Sequence, residues 1–173
     1  MKGTYVLIIK LARSKDILVG KLGYIHFSKA FYAYVGSGMN GLEARLQHHL
    51  RKKKKPHWHI DYLLEEAEIK DVVLCQVSER IECSLAQALA NEFQSVPGFG
   101  SSDCKCKSHL YFSNSKGALK ASVVKAMNKQ GHVICLKQTS QPVELTGQNK
   151  YTHSYKQYPT KDIYGAGITL DTF

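Results

Sequence analysis

Apolar positions along this chain follow two rhythms. Near-continuous runs of β-branched and aromatic residues predict buried strands at Thr4–Leu11 (TYVLIIKL), Ile17–Gly23 (ILVGKLG), Lys29–Gly36 (KAFYAYVG) and Val72–Val77 (VVLCQV). The first three, joined by short polar turns, are expected to form a three-stranded antiparallel meander. Four-residue spacing takes over at Leu42, Leu46 and Leu50, where it predicts an amphipathic helix capped by Asn40 and ended by Pro56. Leu85, Leu89 and Phe93 mark a second helix over Ile81–Phe93, and Leu119, Val123 and Met127 a third, capped by Asn114 or Ser115. Val96–Ser108 reads as loop and His109–Phe112 as a closing edge strand. The stretch HWHIDYLL, after Pro56, has no clean period and is left unassigned.

These elements imply an α/β (α+β) fold: a small antiparallel three-stranded central sheet flanked by helices, over residues 1–113. Residues 114–173, where short β-like runs (HVICLKQ, PVEL, YTHSY, IYGAGITL) follow the third helix, are expected to form a small basic α+β appendage. A chain of 173 residues can bury one sizeable core with such an appendage.

Charge changes the picture. With Lys+Arg 24 against Asp+Glu 14 the chain carries +10, which favours polyanionic partners. The excess is uneven: residues 1–64 hold 12 basic and 3 acidic groups, residues 65–112 hold 4 and 8, and residues 113–173 hold 8 and 3. No apolar run approaches a membrane span, and Lys10 interrupts the N-terminal apolar stretch with no small-residue cleavage site after it, so neither a membrane nor export is expected. The cysteine count of 5 is odd, and Cys75, Cys83 and Cys135 sit in apolar runs where a free thiol behaves as a small hydrophobe. A reducing cytoplasm is the expected location.

The stretch Tyr34–Lys55, YVGSGMNGLEARLQHHLRKKKK, concentrates the candidate chemistry. A strand end runs through a glycine-rich turn into a helix, and the helix runs into five consecutive basic residues, Arg51, Lys52, Lys53, Lys54 and Lys55. At about 100° per residue, Arg45 and His49 lie about 40° apart on one edge of the leucine stripe, where the helix meets the sheet. The basic run is either a solvated charge cluster or a track for a nucleic-acid backbone.

In order, Gly3-Thr4-Tyr5, Tyr34-Val35-Gly36, Arg45 and His49 one turn apart, and a helix-borne Glu82 resemble the GIY-YIG nuclease superfamily over residues 3–112. LVGKLG, HWHIDYLL and GFGSSDCKCKSHL are similar to a prokaryotic branch with an extra hairpin between the two tripeptides, found alone or fused to DNA-repair glycosylases. The tyrosines stand 29 residues apart, a wide spacing that an inserted strand accommodates while leaving the flanking strands adjacent. Where the family usually has Asn about a dozen residues after the Glu, this chain has Gln94, with Asn91 nearby.

The resemblance implies a metal-dependent endonuclease hydrolysing phosphodiester bonds in nucleic acid, with DNA ahead of RNA as the partner, in DNA repair or processing. On that implication Glu82 places one hard ion, Mg²⁺ or Mn²⁺. Tyr5 is the general base towards water and Tyr34 hydrogen-bonds beside it. Arg45 is a fixed positive fork for the scissile phosphate, and His49 takes up the phenolic proton. Arg51 to Lys55 supply affinity only.

Two other readings stay open. One is a nucleic-acid-binding module that keeps the fold without turnover. The other is a zinc-organised interaction domain, for which His57, His59, Cys104, Cys106 and His109 are the candidate ligands, although C-x-C and H-x-H match no common finger spacing. His57 and His59 can equally cover the end of the sheet with Trp58 packed inward, and a role for His59 or Asp61 near the active centre is a separate alternative.

Overall fold

The computed structural model describes residues 2–138 and 168–170. In chain order the elements are β1 (Thr4–Leu11), β2 (Lys15–Leu18), β3 (Tyr24–Phe27), β4 (Ala30–Ser37), α1 (Leu42–Leu50), α2 (His59–Leu64), β5 (Glu68–Gln76), α3 (Glu82–Ala90), β6 (Gln94–Ser95), β7 (Leu110–Ser113), α4 (Lys116–Asn128), β8 (His132–Gln138) and β9 (Ile168–Leu170). The fold is α+β. β1 is apolar at nearly every position because it is buried on both faces at the centre of the sheet, with β4 on one side and β5 on the other.

The main sheet has seven strands in the order β6-β7-β4-β1-β5-β8-β9, and all its pairings among the described residues are antiparallel. This corrects the three-stranded meander. Ile17–Gly23 is not a central strand: Lys15–Leu18 pairs only with Tyr24–Phe27, as a separate two-stranded sheet. Both edges of β1 are already taken, and Gly20 (φ 46°) and Gly23 (φ 74°) bend the chain out of extended conformation. The insertion between the two tripeptides is therefore a hairpin, and β1 and β4 lie side by side across it.

Side chains alternate between two layers. Tyr5, Leu7, Ile9, Tyr32 and Tyr34 face Leu42 and Leu46 of α1 and Ile60 and Leu63 of α2. Val6, Ile8, Ala33 and Val35 face Leu85, Ala86 and Leu89 of α3 and Leu119, Val123 and Met127 of α4. α4 is also tied to β5 by a buried carboxylate, Asp71, which receives Lys116 Nζ at 2.7 Å and Lys120 Nζ at 3.1 Å. The segment expected as an appendage thus contributes a core helix, and β8 pairs along β5. PVEL and YTHSY lie outside the described residues.

Other boundaries differ by local causes. Gly41 rather than Asn40 occupies the cap of α1, and α1 ends at Leu50, six residues before Pro56. The unassigned HWHIDYLL contains α2, a helix of only 6 residues, too short to display a period. β7 is not the sheet edge, since the two residues of β6 pair outside it. Ser115 caps α4, accepting the Ala118 N–H at 3.1 Å. No helix among the described residues is long and apolar enough to cross a membrane.

Candidate functional site

The residues singled out in the sequence gather at one end of the sheet. Tyr5 lies opposite Gly36 and Tyr34 opposite Leu7 in the β1–β4 register, which puts both phenols on the same face with ring centroids 6.5 Å apart. The tripeptide glycines are dictated by close approach: a Cβ at Gly36 would meet Tyr5 Cζ and Oη at 2.5 Å, and one at Gly3 would meet the Cys75 carbonyl oxygen at 2.6 Å. α1 lies over the phenols, and its buried His49 brings Nε2 to 2.7 Å from Tyr5 Oη. One turn earlier, the Arg45 guanidinium stacks 4.5 Å above the Trp58 ring, which holds its planar fork in place. Glu82 begins α3 in the opposite layer and reaches the same end of the sheet because β5 delivers the chain there.

Asp61 organises the space behind these residues. It is the third residue of α2, and its Oδ2 accepts the backbone N–H groups of His57 and Trp58, each at 3.0 Å. His48 Nε2 donates to the same oxygen at 3.0 Å, and His49 Nδ1 lies 3.4 Å from Oδ1. Burial alone would raise the Asp61 pKa, but the hydrogen bonds from His49, Trp58, His57 and His48 outweigh it and hold the carboxyl well below the usual carboxylate range. An ionised carboxylate only accepts, so His49 carries its proton on Nδ1 and leaves Nε2 to accept from Tyr5. Burial lowers the His49 pKa while Asp61 pulls it back up, so the ring is neutral at physiological pH.

In front lies a cleft of about 710 Å³ lined by Tyr34, Arg45, Arg51, Arg80, Glu82 and Asp103 among others. Tyr34 is 6% exposed and forms part of the wall, whereas Tyr5 is 0% exposed and sits behind it. Burial raises the Tyr5 pKa well above 10, the nearby Tyr34 adds to this, and the Arg45 guanidinium opposes both. Asn91 and Gln94 are exposed and line no part of the cleft. The basic run divides: Lys52, Lys53 and Lys55 are exposed and Arg51 lines the cleft, but Lys54 turns inward, donating to the His49 carbonyl oxygen at 2.7 Å with Asp61 Oδ1 at 3.6 Å.

Beside the cleft stands a second cluster. Cys83 of α3 meets Cys104, Cys106 and His109 of the loop before β7, and one donor atom from each lies within 4.8 Å of the others. Three thiols and an imidazole are a zinc-type set rather than one suited to Mg²⁺ or Mn²⁺. His57 and His59 are not part of it: the His59 Nδ1 instead accepts the Gly100 N–H at 3.0 Å. Burial, with the neighbouring Cys83 and Cys104 thiols adding to it, pushes the Cys106 thiol up to about 12.

A protein-family model described as "Domain of unknown function DUF123" matches residues 4–132, about three quarters of the chain. The chain belongs to the DUF123 family. No curated protein and no solved structure matches it. The DUF123 span runs from the first residue of β1 to the first of β8, and so takes in Tyr5, the tripeptide Tyr34-Val35-Gly36, Arg45, His49, Asp61, Glu82 and the whole Cys/His cluster, with Gly3 one residue outside it.

Within this DUF123 region, sequence reasoning missed Arg80, Asp103 and Cys83 and gave Asp61 no defined part. Asp61 had a usable signal, a carboxylate three residues after the chain enters α2, where it can reach back to free N–H groups. Cys83 had none, since the helical apolar pattern of Leu85, Leu89 and Phe93 around it made it look like a core thiol and 21 residues separate it from Cys104.

Proposed function

We propose that this protein is a metal-dependent endonuclease of the GIY-YIG type, hydrolysing phosphodiester bonds in DNA in the cytoplasm. The observation that carries the reading is that Tyr34, Arg45 and Glu82, from three separate elements, line one cleft with Arg51 and Arg80, while the hydrogen-bonded pair Tyr5 and His49 is buried directly behind its wall. Hard oxygen donors suit the ion it needs: Glu82 and Asp103 both line the cleft, and one or two carboxylates with several waters is the usual holding for Mg²⁺ or Mn²⁺. When bound there, the ion supplies electrostatic stabilisation of the phosphoryl oxygens.

The remaining chemistry falls to the chain's own side chains. Arg45, braced by Trp58, offers two parallel donors to a phosphate, with Arg51 and Arg80 adding positive charge on the same cleft. Tyr5, His49 and Asp61 form a proton path: the phenol donates to Nε2, and Asp61 stabilises the imidazolium that results. The path matters because a buried phenol does not ionise by itself at neutral pH. Tyr34, at the cleft wall, is the phenol next to the substrate, with the Tyr5 ring centroid 6.5 Å from its own.

The test is cleavage of plasmid and of branched DNA in Mg²⁺ or Mn²⁺ by the wild type and by Tyr5→Phe, Arg45→Ala and Glu82→Ala. The expected outcome is metal-dependent cutting that Arg45→Ala and Glu82→Ala reduce by at least about 100-fold, the scale of losing one preorganised charge contact. Cleavage indifferent to Glu82→Ala, or binding without cleavage of any DNA or RNA tested, would sink the catalytic reading and leave a binding module.

A further inference from the structure

We propose that Cys83, Cys104, Cys106 and His109 bind one Zn²⁺ as a closed four-coordinate clip that fastens the first turn of α3, and with it Glu82, to the loop at the rim of the cleft. Zinc ligated at about 2.3 Å by sulfur and about 2.1 Å by nitrogen in a tetrahedron needs donors about 3.6–3.8 Å apart. The four donor atoms lie within 4.8 Å of one another, and Cys104 Sγ is 3.4 Å from His109 Nε2, so small side-chain rotations complete the shell. No disulfide joins any of the 5 cysteines, and three of them share this one spot.

The backbone has the ligands largely in position. The His109 N–H donates to the Phe99 carbonyl at 2.8 Å, and its carbonyl receives the Val35 N–H at 2.9 Å, which locks this residue between the loop and β4. The Gly98 N–H spans the loop to the Lys107 carbonyl at 2.8 Å. Gly100 lets the loop close tightly, since a Cβ there would meet Tyr34 Cε2 at 2.9 Å and His109 Cβ at 3.2 Å. The three cysteines are partly exposed, so an ion can reach them, and the exposed Lys105 and Lys107 offset the net negative charge of three thiolates around Zn²⁺.

Because all four positions come from protein, the site leaves no place for a reacting water and is structural. Binding releases three thiol protons to solvent and leaves His109 neutral. The ion would close the 21-residue span from Cys83 to Cys104. Glu82 precedes Cys83 directly, and His109 and Glu82 line the same cleft, so the clip sets where that carboxylate points. Only this last consequence rests on the nuclease reading.

The experiment uses the full chain loaded with zinc, desalted and analysed for metal, then reconstituted with Co²⁺. About one zinc per chain is expected, with an intense thiolate-to-cobalt charge-transfer band and tetrahedral visible bands for the cobalt form. Chelation should lower the melting temperature by several degrees, and Cys83→Ser and Cys106→Ser should each lose stoichiometric zinc. Metal-free wild type after loading, or Cys83→Ser retaining full zinc with an unchanged cobalt spectrum, overturns the clip. These readouts need no DNA. Glu82→Ala should keep its zinc, so zinc without cleavage counts against the nuclease alone, and cleavage without zinc counts against the clip alone.

Discussion

Asp61 is fully buried among five donors: the side chains of His48, His49 and Lys54 and the backbone N–H groups of His57 and Trp58. Replacing it by Asn leaves Lys54 without its counter-charge, removes one of the two oxygens that accept from the surrounding N–H groups, and should cost on the order of 3 kcal/mol at neutral pH. The acid response follows from the direction of the shifts. His49 has its pKa lowered from 6.5, so unfolding takes up a proton at that ring, and stability begins to fall as the pH drops through about 6.5. Asp61 is lowered from 3.8, so its contribution is complete above that value and is lost as the pH falls below it. Melting temperatures between pH 3 and 8 should therefore decline in two stages for the wild type, and Asp61→Asn should start lower and lack the more acidic stage. At this scale the sequence was informative where a residue belonged to a regular element. Arg45 and His49 were legible because helical spacing fixes their common edge, whereas Cys83 could not be paired with Cys104 without knowing that α3 starts beside a loop 21 residues later.

α4 decides how far the folding unit extends. Leu119, Val123 and Met127 are fully buried against Val6, Ile8 and Val35, and each contributes about 1.5–3 kcal/mol by leaving water. Lys116 and Lys120 add their pairing with Asp71, which would otherwise be a buried, uncompensated charge. A chain cut after Ser113 should accordingly fail to give a cooperative thermal transition, while one ending after Gln138 should keep it, as followed by circular dichroism. The pattern of apolar residues gave β1, β4, α1, α3 and α4 to within a few positions because each buries one clear face or two. It did not reveal that β5 rather than Ile17–Gly23 flanks β1, since strand partners depend on which edges are free, a property of the assembled sheet. Nor did a positive charge balance after residue 113 mark a separate unit, because α4 turns its lysines partly inward.

At the level of the whole molecule, the charge of +10 and the exposed Lys52, Lys53 and Lys55, which directly follow the cleft-lining Arg51, are the groups that would hold a polyanion on the proposed nuclease. Neutralising any one of these three lysines should weaken binding to all DNA sequences alike and reduce the slope of log affinity against log salt by about 1. Lys54→Gln should behave differently, lowering the melting temperature and leaving that slope nearly unchanged, because its ammonium faces His49 and Asp61. Titrations of labelled duplex at several salt concentrations separate the two cases. The position of β1 has a further consequence, for synthesis rather than for the finished fold. TYVLIIKL is translated before every strand it pairs with, and its two neighbours, β4 and β5, are complete only at Ser37 and Gln76. Until then an apolar segment of high β-propensity has both hydrogen-bonding edges open, the condition under which nascent chains aggregate or recruit chaperones. A strand buried at every position but Lys10 in the native protein is thus open on both edges while the chain is being made.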